Sequence, residues 1–350
     1  MPNFNHTSLA KIAIHKVGNI SREEGVELSN EETPLKEDLL KDVLKSYLLN
    51  PFATQENYYK FKHETDLSLN EVYQYALKVF ENPEELHAQS INIAKHLYAS
   101  SKHPQIKMGE LYIVLFQNCM VEDEVADVIG IFKSENKDTF LRIMPSQGHF
   151  EVAQDNGINI KKLDKGCLIF NTERDSGFKV CVVDNLNKKN EAQYWIDDFL
   201  HLEQKTDEFY YTQKYMDLCR GFAKEIAIEK PEVSKQDQAT LLNRSADFFT
   251  ENETFEISKF EKEVMQEPEI ISAFQDYSQT FQEAKQVVLE DNFEIAEKAV
   301  KQEKKKFKSV LKLDKNFQLY IHGKGQEYMQ KGFDEDKQLS YYQLYFREEK

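Results

Sequence analysis

Apolar residues recur along this chain in two rhythms, and the changes between them mark out its organisation. "LAKIAIHKVGN" (9–19) sets Ile12 and Ile14 two apart and ends on Gly18-Asn19, a strand running into a turn. From Lys36 to Leu49 the spacing of Leu39, Leu40, Val43, Leu44, Tyr47 and Leu48 becomes helical, and Asn50-Pro51 stops the helix. "SLNEVYQYALKVFENP" (68–83) predicts a second helix, with Ser68 and Glu71 spaced as a capping box. A third is expected from about Glu84 to Ser100, with Leu86, Ile93 and Leu97 on one face.

The middle of the chain switches to short β-like runs. These are "GELYIVLFQN" (109–118), "ADVIGIFKSE" (126–135), "DTFLRIM" (138–144), "GCLIFNT" (166–172) and "FKVCVVDN" (178–185). Tight polar linkers join them, which predicts an antiparallel sheet rather than β-α-β winding. Helical spacing returns from Tyr194 in "YWIDDFL", then in 207–227, 235–251 and "EIISAFQDYSQTFQEA". Alternation closes the chain in "FKSVLKLDKNFQLYIHG" and "LSYYQLYF". The expected fold class is α+β. Residues 1–190 form a domain with an antiparallel sheet and helices; residues 191–350 form a mostly helical domain closed by a small C-terminal β-hairpin.

Composition narrows the class. Apolar residues make up 40% and charged residues 30%, with 24 Phe and 17 Tyr, a globular rather than disordered balance. No run reaches the roughly 18–20 apolar residues of a membrane span, and "MPNFNHTSLAKIAIHKV" lacks the build of a secretory signal, so a cytoplasmic protein is expected. Cys119, Cys167, Cys181 and Cys219 lie far apart and read as reduced, structural thiols. The net charge of −16, from 61 acids and 45 bases, argues against a coat of DNA over the whole surface and leaves room for a local basic patch.

Candidate chemistry is sparse. Gly-Lys-Gly at 323–325 lacks the glycine spacing and the hydroxyl of a phosphate loop, and Tyr328 stands where a dinucleotide fingerprint needs glycine. It reads as a connection between strands. His15 and His322 fall inside alternating runs, as paired sheet residues would. Asp127, Glu135 and Asp184 lie at strand margins, but no Glu-x-Lys accompanies them within a strand, so a metal-dependent nuclease is the weakest reading. One charge feature departs from the acidic background. Residues 298–315, "KAVKQEKKKFKSVLKLDK", hold eight lysines and two acids. If the helix runs to about Ser309, Lys298, Lys301, Lys305 and Lys308 share one face, with Lys312 continuing the run, and the stripe could track phosphates. The alternative is a solvated face that balances neighbouring acids.

Several segments together resemble a known family. "KIAIHKVGN" (11–19), "LYIVLFQN" with "ADVIGIFKSE" (111–135), "KGCLIFN" (165–171), "YWIDDFL" (194–200) and "KLDKNFQLYIHG" (312–323) occur in the order found in the bacterial nucleoid-associated protein family (NdpA-like). The resemblance implies a cytoplasmic, nucleoid-localised, DNA-associated protein without catalysis, and it assigns no individual residue. The expected partner is double-stranded DNA, bound without sequence preference and in a salt-dependent way, or a DNA-associated protein. No cofactor and no membrane are expected, and the oligomeric state is open. A protein-interaction module without direct DNA contact is the alternative.

Overall fold

The unbroken apolar run Leu111–Phe116 lies at the centre of an antiparallel sheet that is covered on both faces. The computed structural model describes the chain apart from residues 1, 56, 122–123, 186–193, 230–234, 286, 308, 314, 322–327 and 349–350. It divides into two compact units, Met1–Lys205 and Thr206–Lys350.

The first unit is built on β1 (Ser8–Val17), β2 (Val26–Glu27), β3 (Tyr58–Phe61), β4 (Gly109–Val121) and β5 (Glu124–Ser134). A ribbon, β6 (Asp138–Ser146) and β7 (His149–Gly157), stands apart from the sheet. β8 (Lys165–Phe170), β9 (Lys179–Asp184) and β10 (Leu202–Gln204) complete it in the order β10-β3-β9-β8-β5-β4-β1-β2. Every pairing is antiparallel. Leu111, Ile113 and Leu115 point to one face with Ile129, Ile131 and Ile169, and Tyr112, Val114 and Phe116 point to the other with Phe132 and Phe170. A strand buried on both faces loses its polar–apolar alternation, which is why β4 reads as a continuous apolar run. Helices α1 (Asp38–Leu49), α2 (Glu71–Glu81) and α3 (Leu86–Ser100) supply the cover: α2 and α3 on the first face, the end of α1 on the second.

Three local expectations change. Ser68 and Glu71 do not form the capping box. Asn70 caps α2 instead, accepting from the Tyr73 N–H at 3.0 Å while its amide donates to the carbonyls of Lys62 and Leu200; the Ser68 N–H is already held by Asp66. Residues 138–144 do not join the main sheet, because β5 pairs directly with β8 along Val128–Lys133. Tyr194–Leu200 is a single wide helical turn whose Tyr194, Trp195, Phe199 and Leu200 are buried in the core of the first unit, and β10 follows it. The ERDSG linker closes at Gly177, whose φ of 98° and 2.4 Å approach of a would-be Cβ to the Phe61 carbonyl oxygen leave room only for glycine.

The second unit packs α4 (Glu208–Glu229), α5 (Lys235–Glu251), α6 (Ile257–Phe260), α7 (Pro268–Lys285) and α8 (Glu297–Lys304) around aromatic rings. β11 (Thr254–Glu256) and β12 (Asn292–Glu294) set Phe255 opposite Phe293, with ring centroids 4.8 Å apart. Alternation at the chain's end forms two ribbons rather than one. β13 (Ser309–Leu313) pairs with β14 (Phe317–Ile321), and β15 (Met329–Asp334) with β16 (Leu339–Leu344). Gly323, Lys324, Gly325 and His322 lie outside the described residues.

Candidate nucleic-acid interface

The helix α8 owes its orientation to one buried acid. Ala299, Val300 and Glu303 face inward, and Glu303 accepts from Arg220 of α4 at 3.3 Å, from Gln213 at 3.4 Å and from Lys306 at 2.6 Å. At about 100° per residue, Lys298, Lys301 and Lys305 then fall on the side opposite these three, and all are exposed. The structure brings these three sequence-predicted lysines together. It does not extend the stripe further. The helix ends at Lys304 with Lys305 as its C-cap, where the amides of Lys306 and Phe307 turn back to the carbonyls of Glu303 and Lys304. The alternating SVLKL that follows belongs to β13. Lys308 lies outside the described residues, and Lys312 sits on β13 opposite Gln318.

The basic face has acidic neighbours. Lys301 pairs with Glu297 one turn earlier at 2.6 Å, and that hydrogen-bonded ammonium holds the Glu297 carboxyl below its ordinary range. A concavity beside α8 is lined by Glu251, Glu253, Glu294 and Glu297 together with Lys301 and Lys304. Cations here can still reach phosphate, since an exposed pair is weakly held and exchanges readily.

The other residues singled out in the sequence resolve into packing. His15 is buried between β1 and α3: its Nδ1 accepts from the Ser29 N–H at 3.1 Å, and its Nε2 lies 2.8 Å from Ser90 Oγ. None of the four cysteines forms a disulfide and all are buried; burial pushes the thiols of Cys119 and Cys219 up to about 11 and about 12, far from nucleophilic thiolates. Glu135 and Asp184 are held by ammonium groups. Lys133 Nζ lies 3.1 Å from Glu135, Lys165 Nζ lies 2.7 Å from Asp184, and the Tyr194 ring sits between, with its hydroxyl 3.4 Å from Glu135. Among the described residues no three His, Cys, Asp or Glu side chains are grouped to hold a metal ion.

Sequence reasoning missed this double ion pair. Its signal was a charged residue at an inward register position: Lys133 continues the face of Ile129 and Ile131, and Lys165 that of Cys167 and Ile169. Burial, aided by Glu135 and Asp184, holds the Tyr194 phenol protonated far above its usual range.

Among the described residues no helix is long and apolar enough to cross a membrane. The family described as nucleoid-associated protein YejK matches the chain over residues 13–337. No curated protein matches it.

Proposed function

The chain belongs to the family of the nucleoid-associated protein YejK, and on that premise we propose that it acts at the bacterial nucleoid, in the cytoplasm, as a non-catalytic protein that touches DNA directly. The observation that carries direct contact is the outward face of α8, where Lys298, Lys301 and Lys305 stand opposite the buried Glu303 within a chain of net charge −16. Ammonium groups on flexible stems contact phosphates as point charges, so binding is salt-dependent and indifferent to base sequence. A limited patch suits an acidic protein that associates with DNA locally instead of wrapping it. Two of the three carboxylates that a nuclease reading would assign to a metal, Glu135 and Asp184, are engaged by Lys133 and Lys165, which supports a binding role.

The test is duplex binding over a salt series. Changing Lys298, Lys301 and Lys305 together to Gln should weaken binding equally for unrelated duplexes. The slope of log affinity against log salt should flatten by about 0.9 for each phosphate that the variant no longer neutralises. An unchanged slope would leave α8 as a solvated face and move the reading to a protein-interaction module. Glu297→Gln works in the opposite direction. It removes a negative charge and frees Lys301, so duplex affinity at low salt should rise; a fall would show that the pair orders the helix for binding.

A further inference from the structure

We propose that the β6–β7 ribbon is a self-association arm whose apolar face meets the same face of a second copy of this chain. In an antiparallel ladder, directly opposed residues point the same way and successive residues alternate. The register Leu141↔Gln154, Ile143↔Val152 and Pro145↔Phe150 therefore gathers Leu141, Ile143, Pro145, Phe150 and Val152 on one side. At the base of that side Thr139 Oγ1 donates to Asn156 Oδ1 at 2.9 Å. Every charged side chain of the ribbon, Asp138, Arg142, Glu151 and Asp155, falls on the other side.

The apolar side is open to solvent. Leu141 is 68% exposed, Ile143 63%, Phe150 71% and Val152 65%. A contiguous uncharged patch of this kind marks an interaction surface, and a free-standing two-stranded ribbon is at best marginally stable in water unless something covers it.

Three features favour a second copy as the cover. Three acids against one arginine make the ribbon repel phosphate, which removes nucleic acid. The side carries no charge for an oppositely charged partner to match. A two-fold contact asks only that a surface complement itself: with the axis near Ile143 and Val152, Leu141 of each copy lies over Phe150 of the other. The exposed side chains amount to about 500 Å² per arm, so two arms bury at most about 1,000 Å², at the lower limit for a specific interface. The contact is therefore a reversible dimer, and it stands independently of any contact with DNA.

Sedimentation equilibrium across the micromolar range tests this. The full chain should dimerise, and Ile143→Asp should weaken the dimer at least tenfold while leaving circular dichroism and the melting temperature unchanged. Arg142→Ser, on the charged side, should dimerise like the wild type. The native thiols are all buried, so a short bis-maleimide should join two copies of Val152→Cys and should not join two copies of Ala153→Cys. That comparison decides the matter even where Ile143→Asp unfolds. A monomeric wild type, a dimer that Ile143→Asp leaves intact, or equal crosslinking of the two cysteine variants would each overturn the assignment.

Discussion

Glu135→Ala should lower the stability of the first unit by about 3–5 kcal/mol, more than any surface change, because it strands a buried ammonium. The Lys133 side chain has no exposed area and that of Glu135 only 3%. Lys133 Nζ donates to Glu135 at 3.1 Å and to the Lys107 carbonyl at 2.8 Å, and Glu135 also accepts from the Lys107 N–H and from Tyr194. Removing the carboxylate leaves the charge with one neutral acceptor. Burial already pulls the Lys133 amine below its ordinary range, so in the variant it sheds its proton more easily, and the loss should shrink as pH is raised. Adding Lys133→Met to Glu135→Ala should recover part of the stability, since it removes the buried ammonium that the first change leaves unpaired. Urea midpoints at constant slope measure both effects. A loss below about 1 kcal/mol for Glu135→Ala would show that water reaches Lys133.

Acid should weaken the same unit through His15, by up to about 3 kcal/mol between pH 6.5 and 4. Burial first, and the nearby His87 second, lower the His15 pKa from 6.5 to about 4. Its Nδ1 accepts the Ser29 N–H, so the neutral ring carries its proton on Nε2 and donates to Ser90 Oγ, whose hydroxyl donates onward to the His87 carbonyl. The folded state thus binds fewer protons than the unfolded state between those two values. The contribution is whole above pH 6.5 and is lost as pH falls towards 4. Urea unfolding from pH 7 down to 4.5 should show the decline in the wild type and a shallower one in His15→Asn, which is less stable at pH 7. Parallel slopes would assign the acid sensitivity to other groups.

Much of this architecture can be read in the sequence where a local rhythm and the tertiary environment agree. β4, β5, β8 and β9 announce themselves because central strands need apolar side chains on both faces, and α3 because Leu86, Ile93 and Leu97 recur on its buried side. β3 and β7 escape for physical reasons: Tyr58–Phe61 is too short to display a period, and β7 alternates only from Phe150 to Val152 before turning polar. The turn at Tyr194 looks like the start of the helical region because only the fold reveals which core Trp195 and Phe199 enter. At the candidate site, lysine spacing finds the shared outward face of Lys298, Lys301 and Lys305. It overestimates the helix because Glu303 anchors a single short segment against α4, after which alternation takes over. Buried charge is the least legible feature, since Lys133 looks like a strand-end lysine until Tyr194, distant in sequence, closes over Glu135.

The placement of β3 in the sheet also sets an order of events while the chain is being made. Tyr58–Phe61 finds no strand partner among its neighbours in sequence; it pairs only with β9 and β10, which leave the ribosome long after it. β1 has a partner close in sequence only in the two residues of β2, and its other edge waits for β4. The first unit cannot close hairpin by hairpin as it emerges, and its sheet is completed only when Leu202–Gln204 has been synthesised. Closing such long loops before their contacts form makes folding slow and leaves apolar strand edges exposed meanwhile. A ribosome stalled before β9 should therefore carry a nascent chain open to protease at β3, and one stalled well beyond β10 a chain protected there.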